Sequence, residues 1–338
     1  MEPQKELNPN YLPYPSHPQS TDDEIDLREL LKSLWKGKWI IIAIAFVFAV
    51  GSVLYALSLP NLYRADALLA SAESSNGGGL SKMAGQLGGL AALAGVNLGG
   101  VETSQTDLSV QVMKSRQFIQ NFIEKHNLLV SLMAVKGWDS ENNKLIIDED
   151  KYDSKTKNWL RAPQGLRGVE PTLQEAYEVF KKDIFDVSQD KETGLYTIVI
   201  KYYSPFIAQQ WVNWLVEDIN KVMRERAIAE TSQNLSYLNI QLQKTAVTDM
   251  QSTFYKLIEE QTKSLMLAEV QEEFVFKVVD PAIAPEVKYS PKRALICILG
   301  TLLGSLLGVA VVIIRYATRK QSDIATKLSE KTNNKKTF

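Results

Sequence analysis

The chain has 338 residues, 45% of them hydrophobic, and a formal net charge of -1. That balance excludes a global electrostatic pull toward nucleic acid, so any partner has to be read from local features. A single cysteine, Cys297, leaves no second thiol for a disulfide within the chain, and an oxidising compartment would not harm such a fold.

Residues 1–20 are rich in Pro, Asn and Gln with no apolar period, and are expected to form a disordered cytoplasmic lead. Thr21 and Glu24 then make a capping-box pattern, opening an amphipathic juxtamembrane helix over 21–38. Its apolar positions Leu27, Leu30, Leu31 and Leu34 recur at helical spacing, and Trp35 and Trp39 suit headgroup depth. A plain helical extension of the following span is the other reading.

Residues 39–59 contain no Asp, Glu, Lys, Arg or His and, as a helix, extend roughly 31 Å, which matches the hydrocarbon core of a bilayer. About 38 residues precede this segment, and its apolar run is longer than a typical signal-peptide core, so it is expected to stay in the protein as transmembrane helix 1. Residues 60–293 then provide about 234 residues, enough for a core of their own.

In that domain a strand is predicted over 63–70, followed by a Gly-rich segment over 77–100. The Gly-rich segment is no phosphate loop, because Ser81-Lys82-Met83 stands where Gly-Lys-Ser/Thr is needed. Leu87, Leu90, Leu93 and Val96 point to a packed or mobile loop with a short helix. Apolar spacing from Leu108 through Ile123 predicts one core helix over 107–126, uninterrupted at Ser115 and Arg116. The region around 139–167, with Trp138 and Trp159 nearby, reads as a surface excursion.

A helix over 173–183 and a strand over 195–203 follow. Pro205 sits where proline is favoured, in the first turn of a helix, and a pattern free of Gly and Pro then continues to 244, about 60 Å of helix. A second helix over 249–271 can run back along it as an arm. The chain returns as a strand over 274–279, and Pro281, Pro285 and Pro291 hold the next stretch extended as a strut into the bilayer.

Residues 294–314 form transmembrane helix 2, also free of charge, with Arg315, Arg319 and Lys320 as a stop. Gly300, Gly304 and Gly308 recur every fourth residue and strip one face of side chains, a packing face for another helix. Residues 315–338 form a basic cytoplasmic tail suited to anionic lipid and expected to be too short for a catalytic domain. Arg28, Lys32, Lys36 and Lys38 before the first span, with the basic residues after the second, outweigh Arg64, Lys288, Lys292 and Arg293. Both termini are therefore expected to be cytoplasmic, with the central domain on the other side. The expected fold class is an α+β membrane protein, with two transmembrane helices flanking a domain that has a membrane-proximal sheet and a long helical arm.

No chemistry stands out. His17 and His126 give no metal-ligand spacing and no His-based dyad, the acidic run at Asp148, Glu149 and Asp150 suits a solvated loop, and the spans hold no charge for an ion path. No cofactor is implied.

These parts, and above all PAIAPEVKYSPKRALICILGTLLGSLLG over 281–308, resemble the polysaccharide co-polymerase family, specifically the Wzz-type chain-length determinants of O-antigen synthesis. DEIDLRELLKSLWKGKW before the first span, LPNLYRADALL after it and SPFIAQQWVNWLVEDINKVMRERA at the long helix support the likeness. The resemblance implies an inner-membrane homo-oligomer with periplasmic domains side by side, acting with the O-antigen polymerase and the undecaprenyl-linked glycan rather than catalysing a reaction. Related co-polymerases for capsule or exopolysaccharide carry a kinase with a nucleotide site and a Tyr-rich tail, features not found in this sequence. The expected function is regulation of O-antigen length. A co-polymerase for exopolysaccharide, capsule or enterobacterial common antigen is the near alternative, and a two-span sensor a remoter one.

Overall fold

The computed structural model describes residues 34–72, 104–245 and 248–334, with side chains up to 319. The expected lead over 1–20, most of the juxtamembrane helix, the Gly-rich segment over 77–100 and Lys335 and Lys336 of the tail lie outside the described residues. The chain divides into two compact units: Leu59–Lys292, and the flanking Met1–Ser58 with Arg293–Phe338.

The flanking unit is a pair of helices, α1 (Lys38–Ser58) and α8 (Arg293–Asn334), packed along each other. Both are long and apolar enough to cross a membrane, over Lys38–Ser58 and Arg293–Arg319. Helix α8 does not end with its apolar run: it continues to Asn334, through the segment read as a tail. That segment has neither Gly nor Pro to stop a helix.

The central unit is built on a four-stranded antiparallel sheet in the order β6-β7-β1-β8. Its strands are β1 (Tyr63–Ser71), β6 (Phe185–Gln189), β7 (Tyr196–Tyr202) and β8 (Phe276–Asp280). The strands nearest the two ends of the domain, β1 and β8, are neighbours. Along β1, Ala65, Ala67 and Leu69 alternate into the core while Arg64, Asp66 and Leu68 take the other face.

Helix α6 (Pro205–Lys244) packs its first half on β1 and β7, burying Trp211, Val212, Leu215 and Ile219, and its second half pairs with α7 (Thr248–Val270) as an exposed arm. Proline in its first turn starts α6, since the ring fixes a helical φ and its missing N–H has no partner there in any case.

Where one helix over 107–126 is predicted, the structure has two, α2 (Gln105–Lys114) and α3 (Arg116–Lys125). Ser115 breaks them. Its backbone is extended, with φ -69° and ψ 151°, and its hydroxyl accepts from the Phe118 N–H, so one serine ends α2 and caps α3. The short α4 (Leu129–Met133) follows. The expected surface excursion carries two small hairpins, β2 (Val135–Asp139) with β3 (Lys144–Ile147), and β4 (Tyr152–Asp153) with β5 (Asn158–Trp159).

The helix over 173–183 is α5 (Leu173–Val179), with a full capping box from Thr172 and Glu175, continued by a π-helical turn over Phe180–Ile184. That turn leads directly into β6, a strand the sequence reading missed. Phe180 stacks on Phe185 across the junction, with ring centroids 5.6 Å apart, and both lie in the core with Phe122, Tyr202 and Trp211.

Candidate functional site

Three places carry the features that the sequence singled out: the helix pair, the proline segment and the root of α6.

In the helix pair, Gly300, Gly304 and Gly308 face α1 of the same chain. A Cβ on Gly300 would stand 2.5 Å from Ser52 Cβ, and one on Gly304 2.5 Å from Phe48 Cβ and 3.1 Å from Ala45 Cα. At Gly308 it would meet the Ile41 Cα at 2.9 Å. The stripe continues in reverse beyond Gly308: Gly37 of the other segment takes Val312, whose Cγ1 would lie 2.6 Å from an added Cβ. The partner of the glycine face is thus the first apolar helix itself. At one end of the pair, Arg293 Nε donates to the Ala56 carbonyl at 3.2 Å. Phe46, Val47, Leu54, Leu302 and Leu306 remain on the outside, as lipid-facing side chains should.

Between β8 and α8 the chain forms no helix and no named strand, as prolines at 281, 285 and 291 require. Pro281, Pro285 and Pro291 are spread along it, and its carbonyls and amides are pinned by neighbours. Gln209 of α6 donates to the Ala282 carbonyl at 2.9 Å. Leu62 donates to the Ser290 carbonyl at 2.8 Å and accepts from the Tyr289 amide at 2.8 Å, so the segments entering and leaving the domain are joined by backbone bonds.

At the root of α6, buried Asn220 serves the edge of the sheet. Its Oδ1 accepts from the amides of Val275 and Phe276 at 2.8 and 2.9 Å, and its Nδ2 donates to the Phe276 carbonyl at 3.0 Å. Two residues earlier in the root, buried Asp218 accepts from Lys125 and pairs with His126 Nε2 at 2.9 Å. The His126 ring stacks on Trp214 with centroids 4.1 Å apart.

A His-based pair therefore exists, contrary to the sequence reading, because α3 and α6 bring together residues 92 positions apart. The pair fastens the end of α3 to α6. Among the described residues, no three acidic, histidine or cysteine side chains gather to hold a metal.

A two-bond ion pair ties the excursion to α5. Arg161 meets Glu175 in two bonds of 2.6 and 2.9 Å and also donates to the carbonyls of Gly168, Val169 and Glu170, gathering the loop onto the start of α5. That guanidinium holds the Glu175 carboxyl well below the usual carboxylate range, at about 2. In the core, burial pushes the Tyr202 phenol up, and its hydroxyl donates to the Ser131 carbonyl at 2.7 Å.

Comparison with protein families matches the Wzz model, "Chain length determinant protein", over residues 23–126, from before α1 to the end of α3. A second model, GNVR, "G-rich domain on putative tyrosine kinase", matches residues 237–317, from the outer part of α6 through α7, β8, the proline segment and the glycine stripe. Together they cover just over half of the chain. The chain thus carries a Wzz chain length determinant match at its N-terminal side and a G-rich-domain match at its C-terminal side.

Among solved structures, this chain is 14% identical to a full-length bacterial polysaccharide co-polymerase, with 87% of this chain and 99% of that chain covered and a TM-score of 0.35. It is 12% identical to a fragment of WzzB, a polysaccharide co-polymerase from Salmonella Typhimurium, with coverage of 68% and 100% and a TM-score of 0.24. No curated protein sequence matches. The root of α6 lies in the stretch between the two family matches, so Asn220 and Asp218 fall outside both, while His126 is the last residue of the first.

Proposed function

We propose that this chain sets the length of the O-antigen of lipopolysaccharide, as a non-catalytic, homo-oligomeric scaffold of the bacterial inner membrane. In this reading both termini are cytoplasmic and the central domain is periplasmic. The scaffold holds the undecaprenyl-linked glycan near the O-antigen polymerase, and length is set by geometry rather than by bond-making on this chain. The observation that carries the reading is the match to the chain length determinant model over a segment that contains the first apolar helix and the strand leaving it.

The excess of basic residues at the outer ends of both apolar helices supports the orientation. Gly300, Gly304 and Gly308 keep the two spans of each subunit together, and Pro281, Pro285 and Pro291 carry the domain's position to the second span as a strut. Deleting the gene and separating surface lipopolysaccharide on a gel tests the reading. Loss of the preferred size class from the ladder is expected; an unaltered ladder contradicts it.

The match to a G-rich domain of tyrosine-kinase proteins favours a second reading, in which the glycan is an exopolysaccharide or capsule. Under it the lipopolysaccharide ladder stays as it was and the size distribution of the secreted polymer shifts. Enterobacterial common antigen is the remaining glycan in this class, read out in the same way.

A further inference from the structure

Two cations face each other on neighbouring strands of the central sheet, with a single carboxylate, Asp66, in loose ion-pair contact with one of them at 3.6 Å. Arg64 of β1 stands directly opposite Lys201 of β7, on the face away from Ala65, Ala67 and Leu69. Like charges in direct register oppose strand pairing. The ring of Tyr289 offsets part of that cost, lying 5.8 Å from the Arg64 guanidinium carbon and 5.6 Å from Lys201 Nζ. Tyr289 is set in place by its own backbone bond to Leu62.

An aromatic face attracts the charges but accepts no ordinary hydrogen bond from the Arg64 Nε–H. Arg64 Nε is buried with no hydrogen-bond partner, and Asp66 Oδ1 stands 3.6 Å away, beyond hydrogen-bonding distance. Among the described residues no carboxylate forms an ion pair with Lys201; its interaction is with the ring. Lys288 and Lys292 are exposed beside Tyr289 in the chain, so the basic side chains here outnumber Asp66 and Glu286.

Chain length limits how far this cluster can be from a bilayer. Arg64 follows Ser58, the last residue of α1, by six residues, and Tyr289 precedes Arg293, the first of α8, by four. Even fully extended, these connections reach only about 20 Å and about 14 Å.

We propose that Arg64 and Lys201, presented over Tyr289, bind the phosphate-bearing headgroup of a membrane lipid. A guanidinium fork beside an ammonium matches phosphate oxygens in charge and in donor geometry, and the phenol ring is suited to the headgroup layer. Two lipids supply this chemistry: an anionic glycerophospholipid, and an isoprenoid pyrophosphate of the kind that carries a growing glycan. The inference rests on the proposed crossing of the bilayer by both apolar helices, and not on which glycan is regulated.

The test uses the full chain in detergent micelles, titrated calorimetrically with farnesyl pyrophosphate, with short-chain phosphatidylglycerol and with inorganic pyrophosphate. The native chain is expected to bind at least one of the two lipids more tightly than inorganic pyrophosphate. Arg64→Gln with Lys201→Gln should weaken that binding by about tenfold or more, and the charge-keeping pair Arg64→Lys with Lys201→Arg should retain it. Preference for farnesyl pyrophosphate assigns the site to an isoprenoid carrier, and equal affinity assigns it to anionic headgroups in general.

No binding of either lipid, or undiminished binding by the double glutamine variant, overturns the proposal. Should that variant lose its fold by circular dichroism, Lys201→Gln alone is judged by the same two outcomes. An unchanged polysaccharide ladder after gene deletion defeats the proposed function but leaves lipid binding standing, so the two failures are separable.

Discussion

The chain closes on itself in two places by opposite means. Along the paired apolar helices, contact is made where side chains are missing: Gly300, Gly304 and Gly308 let Ser52, Phe48 and Ile41 approach the backbone. At the root of α6, contact is made by the largest side chains of the domain, Trp211 against Tyr202 at 4.5 Å and Phe180 at 6.2 Å, with Asn220 meeting the polar groups that remain.

The difference follows from the solvent. In water, area removed from solvent drives association, so bulk helps. In lipid the tails are as apolar as any side chain, and close backbone approach has to supply the attraction. The rule that predicts damage therefore reverses between the two places: removing atoms harms the root of α6, and adding atoms harms the helix pair.

The largest effect is expected from Trp211→Ala, which leaves a cavity under α6 and should destabilise the central domain by about 3–5 kcal/mol in denaturant titration. A cost below about 1 kcal/mol would mean that the root tolerates lost bulk as the spans do.

Next comes Asn220→Leu, similar in size but unable to meet the two amides and one carbonyl it now serves. Its expected cost is about 3 kcal/mol by the same titration. An unchanged midpoint would show that packing alone holds β8.

Gly304→Leu sharpens the other side of the comparison. It forces an added side chain against Phe48 and Ala45 and should cost about 1–3 kcal/mol of helix pairing, read as a lower melting temperature in micelles with the central domain unaltered by circular dichroism. An unchanged melting temperature would remove the spans from the comparison.

The smallest effect depends on pH. Because Arg161 depresses the Glu175 carboxyl to about 2, the clamp contributes its full stability above the ordinary carboxylate range near 4.5. That contribution is lost as pH falls from about 4.5 toward 2. Glu175→Gln should remove this part of the acid-unfolding slope in that window while leaving the slope elsewhere intact.

Much of this architecture is legible in the sequence, for local reasons. Pro205 announces the start of α6, uninterrupted helix formers carry it to Lys244, and prolines at 281, 285 and 291 forbid a helix before Arg293. The glycine spacing reveals a packing face but not its partner, because the spacing is the same whether the other helix belongs to this chain or to a second copy.

What stayed hidden depends on context. Ser115 sits in an unbroken apolar rhythm, and only its cap bond to Phe118 shows that the helix restarts there. Strand β6 offers just Phe185 and Val187 as an alternating pair, too short a signal beside the helix that precedes it. Asn220, Asp218 and His126 read as polar residues of helix faces. Their roles arise when segments more than 50 positions apart in sequence meet, which no local pattern records.

The most direct test of the closure through glycine is a disulfide between Gly37→Cys and Val312→Cys in a Cys297→Ser background, where the Gly37 Cβ would lie 3.2 Å from Val312 Cβ. After mild oxidation in membranes and proteolytic cleavage within the central domain, the account predicts that the two apolar helices of one chain stay joined until reductant is added. Fragments that separate without reductant, or a cross-link found only between chains, would contradict it.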